Sequence, residues 1–341
     1  MSLRILRPGL LTTVQDRGRH GLQHLGVVPC GPMDPVALEL ANALVGNRNN
    51  EAAIEFTVLG PEIAFEADAL VSLCGALFEA RVGESKAGGV PVPANRPVFL
   101  PKNSVLRTGR ALLGSRGYLA VAGGIATPPV LGSRSTYLPA RFGGHEGRLL
   151  RAGDVLPLFK GAPDFARRRY QALSSKKDLQ NGLRSVTWSA PALTLPEREP
   201  IMIHAMEGRH YAHFDAASQR AFFEATWKVS PDSNRMGFRL AGPVLARAEA
   251  FEILSEPACL GTVQVPANGL PIALMADHQT TGGYPKIAEI AAADVPRLAQ
   301  LAPGGSVQFA RCTLEQAREL RRALRQRVDS ALRSLAWDYQ T

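Results

Sequence analysis

Residues 276–286, ADHQTTGGYPK, hold the densest group of side chains able to do chemistry in this 341-residue chain. Asp277, His278, Gln279, Thr280 and Thr281 are five consecutive residues that can hydrogen-bond. Gly282 and Gly283 then permit positive φ or close backbone approach to a ligand, and Tyr284, Pro285 and Lys286 complete the run. Chemically this is a carboxylate base, an amide able to mirror a substrate amide, hydroxyl donors, and an ammonium for an anionic group. The same residues would also make a plain turn whose hydroxyls bond their own backbone. Residue chemistry does not separate the two.

Four further stretches carry more polar residues and glycines than packing needs. Thr12 to Gly21 (TTVQDRGRHG) contains Asp16 and Arg17, and Gly31 to Asp34 (GPMD) brings Met33 and Asp34 to a helix start. Gly132 to Gly147 places Arg134, Arg141 and Glu146 among glycines. Ser233 to Arg239 offers Arg235, whose guanidinium can hold a carboxylate or phosphate in two parallel hydrogen bonds, as Lys cannot. A surface Arg after a polar turn is the plainer account of Arg235.

Several chemistries are not supported. No Gly-rich phosphate loop ends in Gly-Lys, and no Ser sits in a nucleophile-elbow pattern. His145-Glu146 lacks the second His of a metalloprotease helix. His20 and His24 have i, i+4 spacing, but Gly18, Gly21 and Gly26 around them argue against a helix. His210 and His213 have neither a nearby Cys nor a third close ligand. Cys30, Cys74, Cys259 and Cys312 have no paired spacing, as in a reducing compartment. No metal site is expected.

The elements that must position these residues read mainly as β with a few helices. Short apolar or alternating runs cut by Gly and Pro recur at 64–73, 97–106, 116–121, 155–159, 200–204, 250–254, 262–265 and 306–310. Asp34 caps a predicted helix with Pro35 at its first position, a stripe of Ala37, Leu40, Ala41 and Leu44, and Gly46 as the stop. Asp215 opens a second, and Asp294 with Pro296 a third that runs to Pro303-Gly304. Thr313 and Gln316 form a capping box for the last, whose apolar stripe runs from Leu314 to Leu335 beside six Arg.

The expected organisation is two β-rich subdomains: residues 1–160, a polar linker or long loop over 161–184, a second half over 185–312, and an amphipathic helix over 313–337. The +9 net charge comes from 32 Arg against 7 Lys spread along the chain. Without an aromatic-interleaved basic stripe, nucleic acid is not the expected partner. The opening MSLRILRPGLLTTVQD turns polar too early for a signal peptide. The uncharged stretch 257–276 contains Pro257, Pro266 and Pro271, which argue against a membrane helix. A cytoplasmic protein, with no membrane partner, is expected.

The wording of these segments resembles a known family. TTVQDRGRHG, GVVPCGPMD, YLAVAGGI, LGSRSTY, FGGHEGRLLRAGD, SNRMGFRL and GTVQVPANGLPIALMADHQTTGGYPKIAEI follow one another in the order of the biotin-dependent carboxyltransferase family. Its members are also called allophanate hydrolase subunit 2, KipA-type proteins, or the C subunit of 5-oxoprolinase. The resemblance implies a cyclophilin-like β-barrel, an obligatory companion of the KipI type (the B subunit of such systems), and ATP-driven opening of a small lactam. Carboxyl transfer to a urea-like amide is the alternative activity. ATP would be shared with the partner, or carboxybiotin delivered by one, since no Lys follows a Met as in a biotin acceptor.

On that basis Gln279, Thr280, Thr281, Gly282 and Gly283 are expected to seat the amide. Asp277 or Tyr284 would manage its proton, while Lys286 and Arg235 hold developing negative charge. Asp16, Arg17, Met33, Asp34 and Arg134 are expected to line the pocket. A competing reading is a KipA-type binding protein that sequesters a kinase inhibitor without chemistry.

Overall fold

The computed structural model describes residues 1–83, 88–159, 164–175, 184–249 and 253–338. These form two compact units. The first comprises Met1–Arg19, Asp34–Leu195 and Arg327–Thr341; the second comprises His20–Met33 and Pro196–Gln326.

The first unit contains β1 (Ser2–Arg7), β2 (Thr13–Gln15), α1 (Pro35–Leu44), β3 (Ala53–Thr57), β4 (Glu62–Phe65) and β5 (Ala69–Val82). It continues with β6 (Val90–Pro91), β7 (Val98–Leu100), β8 (Val105–Val121), β9 (Val155–Pro157), α2 (Asp164–Ser174) and β10 (Arg184–Ser185). Its sheet runs β10-β7-β5-β8-β4-β1-β9, with β3 on β8, β2 on β3 and β6 on β5. The spine is the antiparallel pairing of β5 with β8, from Val71↔Val121 to Val82↔Leu106. Gly117 in β8 leaves room for an edge-to-face Phe56–Phe78 pair with ring centroids 4.9 Å apart. A Cβ there would lie 2.5 Å from both rings. Leu3, Ile5, Ile54, Ile63, Leu106 and Leu119 fill the core around that pair.

Asp34 caps α1 through its Oδ1, which accepts from the Ala37 N–H at 3.0 Å. Gly46, at φ 75°, follows the helix as a left-handed stop. The 161–184 segment, expected as a linker or loop, carries α2; residues 160–163 and 176–183 lie outside the described residues. The 64–73 run is two strands, β4 and β5, because Glu66–Asp68 turn the chain between them.

The second unit contains β11 (Ile201–Glu207), α3 (Ala216–Glu224), β12 (Thr226–Val229), β13 (Gly237–Ala241), β14 (Glu256–Pro257) and β15 (Thr262–Gln264). β16 (Ile272–Leu274), β17 (Thr281–Gly282), β18 (Lys286–Ile290), α4 (Val295–Ala299) and β19 (Ser306–Arg311) follow, and then α5 (Leu314–Asp338), which belongs to this unit up to Gln326 and to the first from Arg327. Seven strands close a barrel in the order β11-β18-β15-β16-β13-β12-β19, shut by parallel pairing of β11 with β19. β14 and β17 make a separate two-stranded ribbon. Alternation puts Ile201, Ile203 and Ala205 of β11 inside the barrel. Trp227, Phe238 and a stacked Phe222–Phe309 pair, centroids 4.6 Å apart, fill it. Each such side chain contributes about 1.5–3 kcal/mol by burial. Met33 packs into this same core.

The Thr313–Gln316 capping box forms, with Thr313 N–H donating to Gln316 Oε1 at 2.8 Å and Gln316 N–H to Thr313 Oγ1 at 3.2 Å. α4 stops at Ala299, short of Pro303. Asp294 does not cap it by side chain: its Oδ2 instead accepts from the His204 N–H at 2.7 Å. The run expected as a strand over 250–254 is not one at 253–254, and 250–252 lie outside the described residues.

Candidate functional site

In the second unit, the hydrogen-bonding of β13 to β16 continues beyond their ends. Met275 N–H donates to Met236 O at 3.0 Å and Asp277 N–H to Arg235 O at 2.8 Å. This extension brings the side chains of Arg235 and Asp277 together. Arg235 Nε donates to Asp277 Oδ2 and Nη2 to Oδ1, each at 2.9 Å. Nη2 also donates to Gly31 O at 2.5 Å. Arg235 is 4% exposed and Asp277 1%. The two residues expected to hold charge and move a proton are thus locked to each other in a planar, buried ion pair. Both carboxylate oxygens of Asp277 are engaged in it.

Lys286, 6% exposed, stands at the start of β18. Its Nζ lies 2.9 Å from Glu256 Oε1 and also donates to Pro257 O. Glu256, on β14, further meets Arg209 at 3.3 Å and His210 at 3.8 Å. The Lys286 N–H points at His210 Nδ1 at 3.2 Å. The Lys286 ammonium holds the Glu256 carboxyl below the usual glutamate range. Desolvation depresses His210, with Glu256 opposing.

Glu289 completes this cluster from the rung Thr262↔Glu289 of the β15–β18 ladder. Its Oε2 accepts from Thr262 Oγ1 at 2.8 Å. Burial pushes this carboxyl up, against the pull of the Thr262 bond and of Lys286, and Glu256 adds to the rise. The carboxyl paired with the ammonium and the one that only feels its charge thus shift in opposite directions.

Gln264, on the same strand face as Thr262, is 1% exposed. Its Oε1 accepts from Gln279 Nε2 at 3.3 Å, while its own Nε2 has no partner among the described residues. Gly282 sits against that amide: a Cβ on it would lie 2.7 Å from Gln264 Nε2. Gln279 and Thr280 are half-buried; Thr281, Gly283 and Tyr284 are exposed, Tyr284 by 50%. Of the expected loop, then, Asp277 and Lys286 point inward and the middle faces outward. His278, buried, engages Gln279 O through Nδ1 at 2.7 Å, and burial lowers its pKa.

Glu256, Glu289 and Gln264 escaped the sequence reading, which weighed His210 only as a metal ligand. Glu289 alternates within KIAEI and Gln264 within TVQV, a pattern that ordinarily marks a solvated strand face. The β14–β17 ribbon beside them has no sequence signature.

Asp16, Arg17, Asp34 and Arg134 belong to the first unit and Met33 to the second. Asp16 is buried and acts as the hub of a turn: it accepts from Ser133 Oγ at 2.5 Å, Ser135 Oγ at 2.7 Å, Arg134 N–H at 2.6 Å and Gly18 N–H at 2.9 Å. Asp34 is the α1 cap, and its second oxygen accepts from Thr194 Oγ1 at 2.5 Å. Its N–H donates to Tyr118 Oη at 2.7 Å, which donates on to Glu55 at 2.7 Å. The Arg134 guanidinium lies 4.9 Å from the Phe159 ring centre and donates to Thr127 O at 2.8 Å. Of these five residues only Arg17 is exposed. Packing explains Asp16, Met33 and Asp34, whose side chains offer nothing to a ligand as they stand.

No group of three or more His, Cys, Asp or Glu suited to a metal occurs among the described residues, nor a helix long and apolar enough to cross a membrane.

Residues 25–311 match the family model of the carboxyltransferase domain, subdomains A and B. The chain is 42% identical over 324 residues to the C subunit of 5-oxoprolinase from Escherichia coli, covering 94% of both chains. It is 32% identical to urea amidolyase of Lachancea kluyveri, covering 97% of this chain but 18% of that much longer one. Among solved structures, K. lactis urea amidolyase superposes with a TM-score of 0.83 at 30% identity, over 97% of this chain and 20% of that one.

Proposed function

Because the chain belongs to the carboxyltransferase-domain family of subdomains A and B, we propose that it is the C-type subunit of a 5-oxoprolinase, opening a small lactam together with a companion subunit. The observation that carries this reading is the end-to-end match at 42% identity with a 5-oxoprolinase C subunit, which leaves no large part of either chain unmatched. The companion is of the KipI type, the B subunit of such a system, and the setting is cytoplasmic.

Gln279, Thr280 and Thr281 present amide and hydroxyl groups beside Gly282 and Gly283, where a planar amide can lie against backbone. Tyr284 adds an exposed hydroxyl at the rim. Lys286 and Arg235 act from within: each neutralises a carboxylate, Glu256 and Asp277, and so fixes the two ends of the loop. For the same reason they do not fit a nucleotide triphosphate as they stand. ATP would therefore be held jointly with the partner.

A second reading, carboxyl transfer to a urea-like amide from carboxybiotin delivered by a partner, is favoured by the likeness to urea amidolyase. Purified complex with its companion subunits separates the two. ATP consumption that depends on 5-oxoproline and not on urea is expected. Dependence on urea and a biotinylated partner would replace the first reading with the second, and consumption indifferent to both would leave a sequestering role.

A further inference from the structure

We propose that Glu289, on the face of the β15–β18 ladder turned away from the barrel core, gives a proton to the nitrogen that leaves when the bound lactam opens. The inference rests on the lactam-opening reading and adds to it the proton donor for that step.

Val263 and Ala288 of this ladder point into the core, so Thr262, Gln264 and Glu289 share the opposite face by alternation. That face holds two signs of a ligand site. One is a pair of unlike carboxyls, Glu256 in contact with Lys286 and Glu289 bonded to Thr262. Glu256 is ion-paired with the ammonium at 2.9 Å, whereas among the described residues Glu289 bonds a hydroxyl alone, at 2.8 Å. Environments that drive two carboxyls apart assign the roles of acid and fixed anion. The other sign is Gln264 Nε2, buried and without an acceptor among the described residues. Such a donor is costly unless something accepts from it, and a ligand carbonyl supplies the missing oxygen once the long Gln279 bond gives way.

Among the described residues, the groups facing Glu289 are Lys286 on its own strand, Thr262 from β15 and Glu256 from β14, with Arg209 and His210 behind Glu256. In the step, water adds to the lactam carbonyl carbon, giving up a proton to solvent and leaving an oxyanion there; the oxyanion re-forms the carbonyl as the C–N bond breaks with its electron pair going to nitrogen. The Glu289 proton passes to that nitrogen. Glu289 is left as a carboxylate with Lys286 nearby to offset its charge, and it regains a proton from water.

The test uses the complex with its companion subunits and 5-oxoproline. Glu289→Gln is expected to lower kcat about a hundredfold with KM within about twofold, and to abolish the alkaline limb of the kcat profile. Glu289→Asp should restore part of the rate. Thr262→Val removes a bond that favours the charged form, so it should move the alkaline limb to higher pH. Glu289→Gln with wild-type kcat and an intact alkaline limb would overturn the proposal. In chain carrying 13C-carboxyl glutamate, assigned with Glu289→Gln, the Glu289 resonance should titrate above the ordinary glutamate range; titration at or below it overturns the proposal as well. A wild-type complex with no lactam-dependent turnover defeats the lactam-opening reading instead, so the two failures are distinct.

Discussion

Asp277 receives both of its hydrogen bonds from the Arg235 side chain at the same 2.9 Å, in a buried, fork-shaped pair. Each residue lies just beyond the end of a different barrel strand, so the pair pins the start of the 276–286 loop to the barrel.

Breaking a buried pair leaves an uncompensated charge, which costs about 3–5 kcal/mol. Asp277→Asn should therefore lower unfolding free energy by that order, read from urea denaturation. Arg235→Lys should also destabilise, since a single ammonium cannot reproduce the fork. An Asp277→Asn chain of wild-type stability but without turnover would return Asp277 to the role of base.

Asp34 does two jobs at once, capping α1 and accepting from Thr194. Asp34→Ala should cost at least about 1–2 kcal/mol, the usual loss for an N-cap, and lower Tm by several degrees in calorimetry. Asp34→Asn, which keeps a capping oxygen, should lose much less. Equal losses in the two would show that the cap is not what holds this position.

Gly282→Ala would put a methyl 2.7 Å from Gln264 Nε2. The neighbour is the end of a flexible side chain, so stability should change by less than about 1 kcal/mol. Displacing the amide should nonetheless reduce turnover of the complex roughly ten- to a hundredfold. Unchanged kinetics would place the ligand away from this glycine.

The two kinds of carboxyl predict opposite pH effects on stability. Arg148 holds Asp154 below the aspartate range through bonds of 2.7 and 2.9 Å, and the Arg151 N–H helps. A depressed carboxyl contributes stability that is present above its unfolded value, about 3.9, and disappears as pH falls through its folded one. Arg148→Gln should flatten that acid loss in Tm measured against pH. Glu289 is raised, so the folded protein binds the extra proton and stability declines as pH climbs from about 4.3 through the folded value. Glu289→Gln should remove that decline and gain on wild type at neutral pH.

Local rules legible in the sequence governed much of this protein. Asp34-Pro35, the stop at Gly46 and the Thr313–Gln316 box specify helix ends within a few residues. Alternation in β11 and β19 separates inside from outside without reference to anything distant. The 276–286 segment stood out because five hydrogen-bonding residues next to two glycines is a local fact. Its consequences were not local. Asp294 could serve α4 or reach His204, and only the closed barrel put His204 within 2.7 Å. Asp277 meets Arg235 across 42 residues, Lys286 meets Glu256 across 30 in the ion pair, and Thr262 meets Glu289 across 27. Which charges cancel, and which carboxyl has its proton affinity raised, depends on burial and through-space distance, and spacing along a chain encodes neither. The sequence could thus name the charged residues at the two ends of the loop, while strand pairing decided that each is locked to a partner and brought in Glu289, which no local pattern marks.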